Sequence, residues 1–462
     1  MAPLISILEI DAFERDVQLR MPFRFGAVTV MQAPQAFVRV RVAGSDGKSA
    51  IGCAAEMMVP KWFDKDPGLT PDQNVEQLRA SIRVAAAAAL EADEPATLFA
   101  AARRNEQETH RRLGENRLVA GFGPALIARA ALDAWCRLAG FSFFDAVRRN
   151  LIGMEGEFLP ADIGAEQTAA VLASLRARPS IAARHTIGLL DSITEAEIAE
   201  PLKDGLPQSL EAVIDRYGHR WFKIKLAGDV DANMDRLKRI AAVLDRTPGY
   251  QVTLDGNEQF AGPELVAELL SRMASAPELV ALSAAIVYLE QPFPRAITLE
   301  TPLGELATRL PFLIDESDDD DAAFGRAVAL GYRGVSSKTC KGIYRSLLKA
   351  IRVRGEGSPG LFLSGEDLTC QAGISVQQDL ALVSLLGLSD VERNGHHYVD
   401  GMQGASADEM DRFASAHPGL YQRDRTGLHL RIVNGQIATG SLANTGYASG
   451  TLPDFHAMRP LS

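Results

Sequence analysis

Five short apolar runs in the middle of the chain each end on charge: WFKIK at 221–225, VTLD at 252–255, VYLE at 287–290, FLIDE at 312–316 and VSSK at 335–338. From Lys225 the successive steps to Asp255, Glu290, Asp315 and Lys338 are 30, 35, 25 and 23 residues. One strand-plus-helix unit of a parallel α/β sheet takes roughly 25–35 residues. The spacing therefore predicts that all five charged ends lie at the carboxyl ends of parallel strands, where barrels of this type keep their ligands and catalytic groups. Three carboxylates converging there suit a divalent cation, and lysines flanking them suit proton transfer.

The elements that must position these groups follow from the pattern around them. Residues 186–190 read as a first strand, 361–366 as a seventh and 391–399 as an irregular eighth. Helical segments are expected at 231–244, 263–274 and 319–330. Segments 153–184 and 192–219 are longer than barrel loops ordinarily are. Before the barrel, residues 5–10, 36–42 and 50–56 read as antiparallel strands, the last two joined by the turn Gly44-Ser-Asp-Gly47. Helices are expected at 71–104 and 124–138, with Gly140 as the stop. Strands first and helices second mark a separate α+β domain over 1–150. The barrel then occupies 151–420, and 421–462 form a hairpin through Asn434-Gly435 and a tail that return to the first domain.

Composition narrows the partners. The chain has 462 residues, 47% of them hydrophobic, enough for a large core, and length alone suggests two or three domains. A formal charge of −11 argues against nucleic acid, which recruits basic surfaces. The four cysteines form no CxxC pair and read as reduced, buried thiols. The amino terminus has no basic stretch ahead of its apolar run, and no uncharged apolar stretch reaches the about 18 residues of a membrane span. The expectation is a cytoplasmic protein acting on a small molecule. The run Asp318–Asp321 reads as a solvated helix start.

KIK at 223–225, LDGN at 254–257, LEQPF at 289–293, IDES at 314–317 and SKTCKG at 337–342 together resemble the signature of the enolase superfamily. They are closest to its muconate-lactonizing-enzyme and dipeptide-epimerase branch, within the mandelate racemase/muconate lactonizing enzyme family. PFRFG at 22–26 and the helix ALIARAALDAW at 125–135 are similar to that family's capping domain, so the resemblance spans both parts of the chain. It implies a (β/α)7β barrel of TIM type under an α+β cap. The implied activity is abstraction of the proton α to a carboxylate through a metal-stabilised enediolate, with Mg2+ (or Mn2+) held by Asp255, Glu290 and Asp315. Hard oxygen ligands agree with that choice of metal. Asn257, placed like Asp255 on an extended strand, and Glu316, facing the other side, are expected to support the metal ligands.

Lys223 and Lys225 are two apart and project to one face of a strand. Their mutual repulsion would lower one pKa toward the range of a working base. Lys338 would approach from the opposite side, giving a base on each face of the substrate's α-carbon. Lys341 reads as solvent-facing. The seventh strand ends on Glu366, where the resemblance expects a carboxylate in this branch and a histidine in the dehydratases. The resemblance implies that specificity comes from two cap loops, here 21–30 and 53–65, through Phe23, Arg24, Lys61 and Trp62; His396 and His397, near the mouth, read either as substrate contacts or as neutral hydrogen-bonding groups. Racemisation, epimerisation or cycloisomerisation is the first reading. Acid-sugar or hydroxy-acid dehydration, an imine-forming lyase and a non-catalytic binding barrel are the alternatives. Homo-oligomers are common among such barrels.

Overall fold

The computed structural model describes residues 2–26, 28–114, 116–355 and 359–461. The chain begins with β1 (Ile5–Arg15), β2 (Gln18–Phe25), β3 (Val28–Gln32), β4 (Gln35–Gly44) and β5 (Ser49–Met57). β1, β4 and β5 form an antiparallel sheet, while β2 and β3 form a separate hairpin. On β4, Val38, Val40 and Val42 are buried, and the alternate residues Arg39 and Arg41 pair across the sheet with Asp11 and Glu9 of β1. All three expected strands are thus seen in full, and the turn between the last two carries Gly47 at φ 77°.

The helix expected over 71–104 is two helices, α1 (Pro71–Leu90) and α2 (Leu98–Leu113). Between them the backbone of Ala96 bridges to Ile5, which a continuous helix would forbid. α1 starts on a reciprocal cap between Thr70 and Gln73. α3 (Arg117–Ala139) begins ahead of Pro124 rather than at it. A proline inside a helix leaves the carbonyl four residues back without a partner. Here that carbonyl, of Ala120, accepts the Ser81 hydroxyl of α1 at 3.0 Å. Gly123 lets the helices approach this closely, since a Cβ there would lie 2.3 Å from the Ser81 carbonyl oxygen. α3 is long and apolar enough to cross a membrane, but 89% of its most apolar stretch is buried inside the protein, as a core helix.

Eight parallel strands follow: β6 (Ser180–Ile187), β7 (Trp221–Lys225), β8 (Gln251–Asp255), β9 (Ile286–Glu290), β10 (Phe312–Ile314), β11 (Gly334–Ser337), β12 (Phe362–Gly365) and β13 (Asp390–Arg393). Each pairs with the next, and β13 pairs with β6 to close the barrel. The first strand starts six residues earlier than expected, and the eighth is short and runs into a helical turn at Gly395–Tyr398. On β7, Phe222 and Ile224 join the apolar layer under the outer helices, so Lys223 and Lys225 face inward. The first long segment, 153–184, contains a helix at Ala165–Ser174 and most of β6. The second, 192–219, contains a helix at Leu210–Tyr217 and docks on the first domain, where Arg20 of β2 donates to Asp204 and to the carbonyls of Leu206 and Pro207.

After the barrel come β14 (Tyr421–Arg423), β15 (Leu428–Leu430), β16 (Gln436–Ala438) and β17 (Arg459–Pro460). Asn434 and Gly435 form the expected turn, both at positive φ. β16, however, pairs antiparallel with β6 of the barrel rather than with the first domain. Only β17 reaches the first sheet, beside β1. The four cysteines are buried and unbridged.

Glu56 of β5 ties cap to barrel. It accepts from Arg129 of α3 at 3.1 Å and from the Thr339 hydroxyl at 3.1 Å, and all three groups are buried. Removing one partner of a buried ion pair typically costs about 3–5 kcal/mol. Arg129→Met is expected to destabilise the chain by that much in urea unfolding; a loss below about 1 kcal/mol would show that Glu56 does not rely on this cation.

Candidate active site

All five charged strand ends meet at the carboxyl mouth of the barrel. Pairing places Lys225 beside Asp255 and Asp255 beside Glu290, at one level of the wall. Lys225 Nζ donates to Asp255 Oδ2 at 2.6 Å. Lys223 Nζ lies among four carboxylates: Glu366 at 2.6 Å, Glu290 at 2.8 Å, Asp255 at 2.9 Å and Glu392 at 3.1 Å. Repulsion between the two lysines therefore does not dominate. Burial works against the charge on Lys223, but the surrounding carboxylates raise its pKa well above the usual lysine value.

Asp315 stands just past β10. It accepts from Lys338 at 2.6 Å and from the Ser336 hydroxyl at 2.5 Å, and Lys341 lies at 3.3 Å. Burial disfavours its charge, yet Lys338 and Lys341 hold it well below the ordinary carboxylate range. Lys341 is thus buried rather than solvent-facing, because Asp318 lies beneath it at 2.8 Å. Asp318 is itself buried between Lys341 and Lys349, so the acidic run is not a solvated helix start. The helix begins later, at Ala323, and Asp320 and Asp321 pair with Arg117 and Arg103.

Asn257 lies beyond the strand, at φ 41°, not extended along it. Its backbone N–H donates to Asp255 Oδ1 at 2.8 Å, and its side chain reaches Glu316 Oε1 at 3.4 Å. Glu316 therefore turns toward the same mouth instead of facing away. Glu258, Gln291 and Thr369, which also follow barrel strands, share positive φ. Such backbone strain clusters where groups are held for function.

The loop 58–66 closes over this mouth. Trp62 lies over Lys338, with Nζ 4.2 Å from the ring centroid. Lys65, not Lys61, reaches the acids, at 2.5 Å from Glu258 and 3.4 Å from Glu316. Lys61 instead donates to the carbonyls of Asp66 and Leu69 in its own loop. Arg24 points to solvent, since β2 turns its neighbours Phe23 and Phe25 inward. Phe23, Phe25, Val59, Trp62 and Leu368 line a cavity together with Lys225, Lys338 and Asp255. Its free space, about 20 Å³, holds roughly one water. Lys65→Met is expected to speed hydrogen exchange across 58–65 about tenfold, equivalent to about 1.4 kcal/mol of closing energy. Unchanged exchange would show that Lys65 does not hold the loop.

His396 and His397 do not reach the cavity. They are buried outside the wall with His185 and His219; ring centroids of His185 and His397 are 4.8 Å apart. His185 is adjacent in sequence to inward-facing Thr186 and so faces outward.

Three contributors escaped the sequence reading. Glu392 of β13 accepts from Lys223 and Thr186 inside the barrel. Alternation on β13 marks it, because Val391 packs in the outer core. Gln291, within LEQPF, accepts the N–H groups of Asp315 and Ser317 and so sets the turn that carries Asp315. Arg184 of β6 pairs with Glu366 and Asp390 deeper in the barrel. Both contacts are long-range, and nothing local marks them.

Whether the acids suit a hard cation is tested by their unused oxygens. Glu290 Oε1 is buried with no partner, and Oε2 meets only the Lys223 ammonium, at 2.8 Å. The pKa of Glu290 is pushed well up by burial and by neighbouring Asp255 and Glu366. A buried acid cluster of this kind gains from added positive charge. Asp255, Glu290 and Asp315 offer the oxygen donors that Mg2+ takes. The carboxylates are not drawn as tightly together as the outer histidines, and Lys223 and Lys338 sit among them.

No family model matches the sequence, and no characterised protein matches it at significant sequence similarity. Solved structures do match along the whole chain. The 2-chloromuconate cycloisomerase from Rhodococcus opacus 1CP is 20% identical, with 98% of each chain covered and a TM-score of 0.61. The L-Ala-D/L-Glu epimerase from Bacillus subtilis, in a substrate-liganded complex, is 15% identical over 96% of this chain and 98% of that one, with a TM-score of 0.60. A member of the enolase superfamily from Roseovarius nubinhibens ISM, complexed with magnesium, is 18% identical over 99% of both chains, with a TM-score of 0.58. The chain has the fold of these proteins: a closed parallel barrel under an antiparallel-sheet cap.

Proposed function

We propose that this chain, built on the fold of the enolase superfamily, is a Mg2+-dependent enzyme that removes the proton α to the carboxylate of a small organic acid. Racemisation, epimerisation or cycloisomerisation is the outcome. One observation carries the reading: Lys225 and Lys338 line the same cavity beside three buried carboxylates. They stand on the second and sixth of eight strands, which are diametrically opposed in a closed barrel.

Asp255, Glu290 and Asp315 would hold the metal, with Asn257 orienting Asp255 and Gln291 positioning Asp315. Bound Mg2+ would supply electrostatic stabilisation for the charge that builds on the substrate carboxylate. Lys225 Nζ takes the proton on one face of the α-carbon. Lys338 Nζ, 2.6 Å from Asp315, delivers one on the other face and takes it in the reverse direction. The aromatic wall of Phe23, Phe25 and Trp62 favours a substrate with an apolar portion and excludes water from the reacting carbon. Glu366, bound to Lys223 and Arg184, stands where a dehydratase would carry a histidine.

The test is a screen of acyl-amino acids, dipeptides, lactones and sugar acids in D2O with Mg2+. Deuterium at the carbon next to a carboxylate, dependent on the metal, is expected for one of these classes. Exchange without metal dependence, or a borohydride-trapped adduct on Lys225 or Lys338, would overturn the reading in favour of imine chemistry.

A further inference from the structure

The four imidazoles outside the barrel wall lie where the cylinder closes. His185 of β6 is in register with Arg393 of β13. His219 lies two residues ahead of β7, and His396 follows β13 in its helical turn. One ligand nitrogen from each of His185, His219 and His396 lies within 4.8 Å of the other two, and all three side chains are buried. Among the described residues no other such group of three is found.

We propose that His185, His219 and His396 bind a transition-metal cation of the zinc class, and that this ion clamps the last strand of the barrel to the first two. His219 has the hydrogen bonding of a metal ligand. Its Nδ1–H donates to the Ala183 carbonyl at 2.9 Å, which fixes the tautomer and leaves the Nε2 lone pair free. That Nε2 is buried with no partner, as are His185 Nδ1 and both ring nitrogens of His396. Buried polar atoms almost always find partners, so four together without one point to an absent ligand. All three rings are buried, which favours the neutral form that coordinates.

The donor set selects the ion. Neutral nitrogen ligands suit Zn2+ or Co2+, whereas Mg2+ requires oxygen. Tetrahedral coordination at about 2.0–2.1 Å puts ring nitrogens about 3.3 Å apart, so the rings must close in from their present spread of up to 4.8 Å. A water or His397, whose Nδ1 is also unpartnered, completes the shell. Nearby cations do not oppose the charge unaided, because Arg20 is paired with Asp204, and Arg393 with Asp367 and Asp379. Asp191 lies 4.0 Å from His397 Nε2 as an outer carboxylate.

The experiment uses the full chain, stripped with chelator and then saturated with Mg2+ so that the acidic mouth is occupied. Zinc is added and excess removed. One Zn2+ per chain is expected to remain, and Co2+ in its place should give the intense visible bands of tetrahedral coordination. His219→Gln and His396→Asn should each weaken zinc binding at least about hundredfold, while Asp255→Asn leaves it unchanged. That last arm separates this site from the proposed catalytic one. No retained zinc, zinc held equally by both histidine variants, or zinc lost with Asp255→Asn would each overturn the proposal. Should a histidine variant fail to fold, the cobalt spectrum of the native chain decides, and the absence of tetrahedral bands overturns it.

Discussion

Lys338→Ala and Lys225→Ala are each expected to abolish overall turnover, by at least about 10³-fold, while leaving one half of the proton chemistry alive. A positioned general base or acid contributes typically about 10²–10⁴-fold. Each lysine here serves one face of the α-carbon, from opposed strands of a closed barrel. If the reaction inverts that carbon, Lys338→Ala retains deuterium exchange in the isomer whose proton faces Lys225. Lys225→Ala should retain it in the other isomer. NMR of each enantiomer in D2O reads this directly. Circular dichroism should show both variants folded, since Asp315 keeps Lys341 and Asp255 keeps Lys223. If only one lysine matters for exchange and the other only for affinity, the chemistry is one-base, and cycloisomerisation becomes the better reading. Full activity in both variants would remove the lysines from the chemistry altogether.

Much of this arrangement was legible because barrel periodicity is a strong signal. A charged residue at the end of an apolar run, repeated at the spacing of a strand and helix, fixes both the strand and the end on which its side chain sits. Lys223, Lys225, Asp255, Glu290, Asp315 and Lys338 were all found that way, and the structure brings them to one mouth. What escaped was decided by partners far away in sequence. Lys341 looks like a surface lysine until Asp318 is seen beneath it. Lys61 and Lys65 are equally basic and share a loop, yet the turn at Lys61, with φ 63°, sends its side chain back to its own carbonyls. His396 and His397 follow the last strand just as a mouth residue would, but they pack outside the wall among imidazoles that the sequence scatters over two hundred positions. Repulsion between Lys223 and Lys225 is local in sequence, whereas the four carboxylates that outweigh it at Lys223 come from distant strands.

Asp255→Asn is expected to weaken Mg2+ binding at least about hundredfold and to lower activity by at least about 10³-fold without unfolding the chain. The substitution keeps the shape of the side chain and removes its charge. Asp255 Oδ2 is the oxygen shared by Lys223 and Lys225, and its Oδ1 accepts the Asn257 N–H. An amide in this place loses one of the hard anionic donors that the cation requires and turns two ammonium groups from paired to partly unpaired. The fold should survive, because Lys223 keeps Glu290, Glu366 and Glu392. Titration calorimetry with Mg2+ measures the first effect and the D2O assay the second. Glu316→Gln is the control. Glu316 meets Lys65 and Asn257 rather than the lysines of the cavity, so its loss should loosen the covering loop and cost far less metal affinity. Equal losses in the two variants would mean that the metal is held at the loop side of the mouth, between Asn257 and Glu316, and not by the strand-end acids.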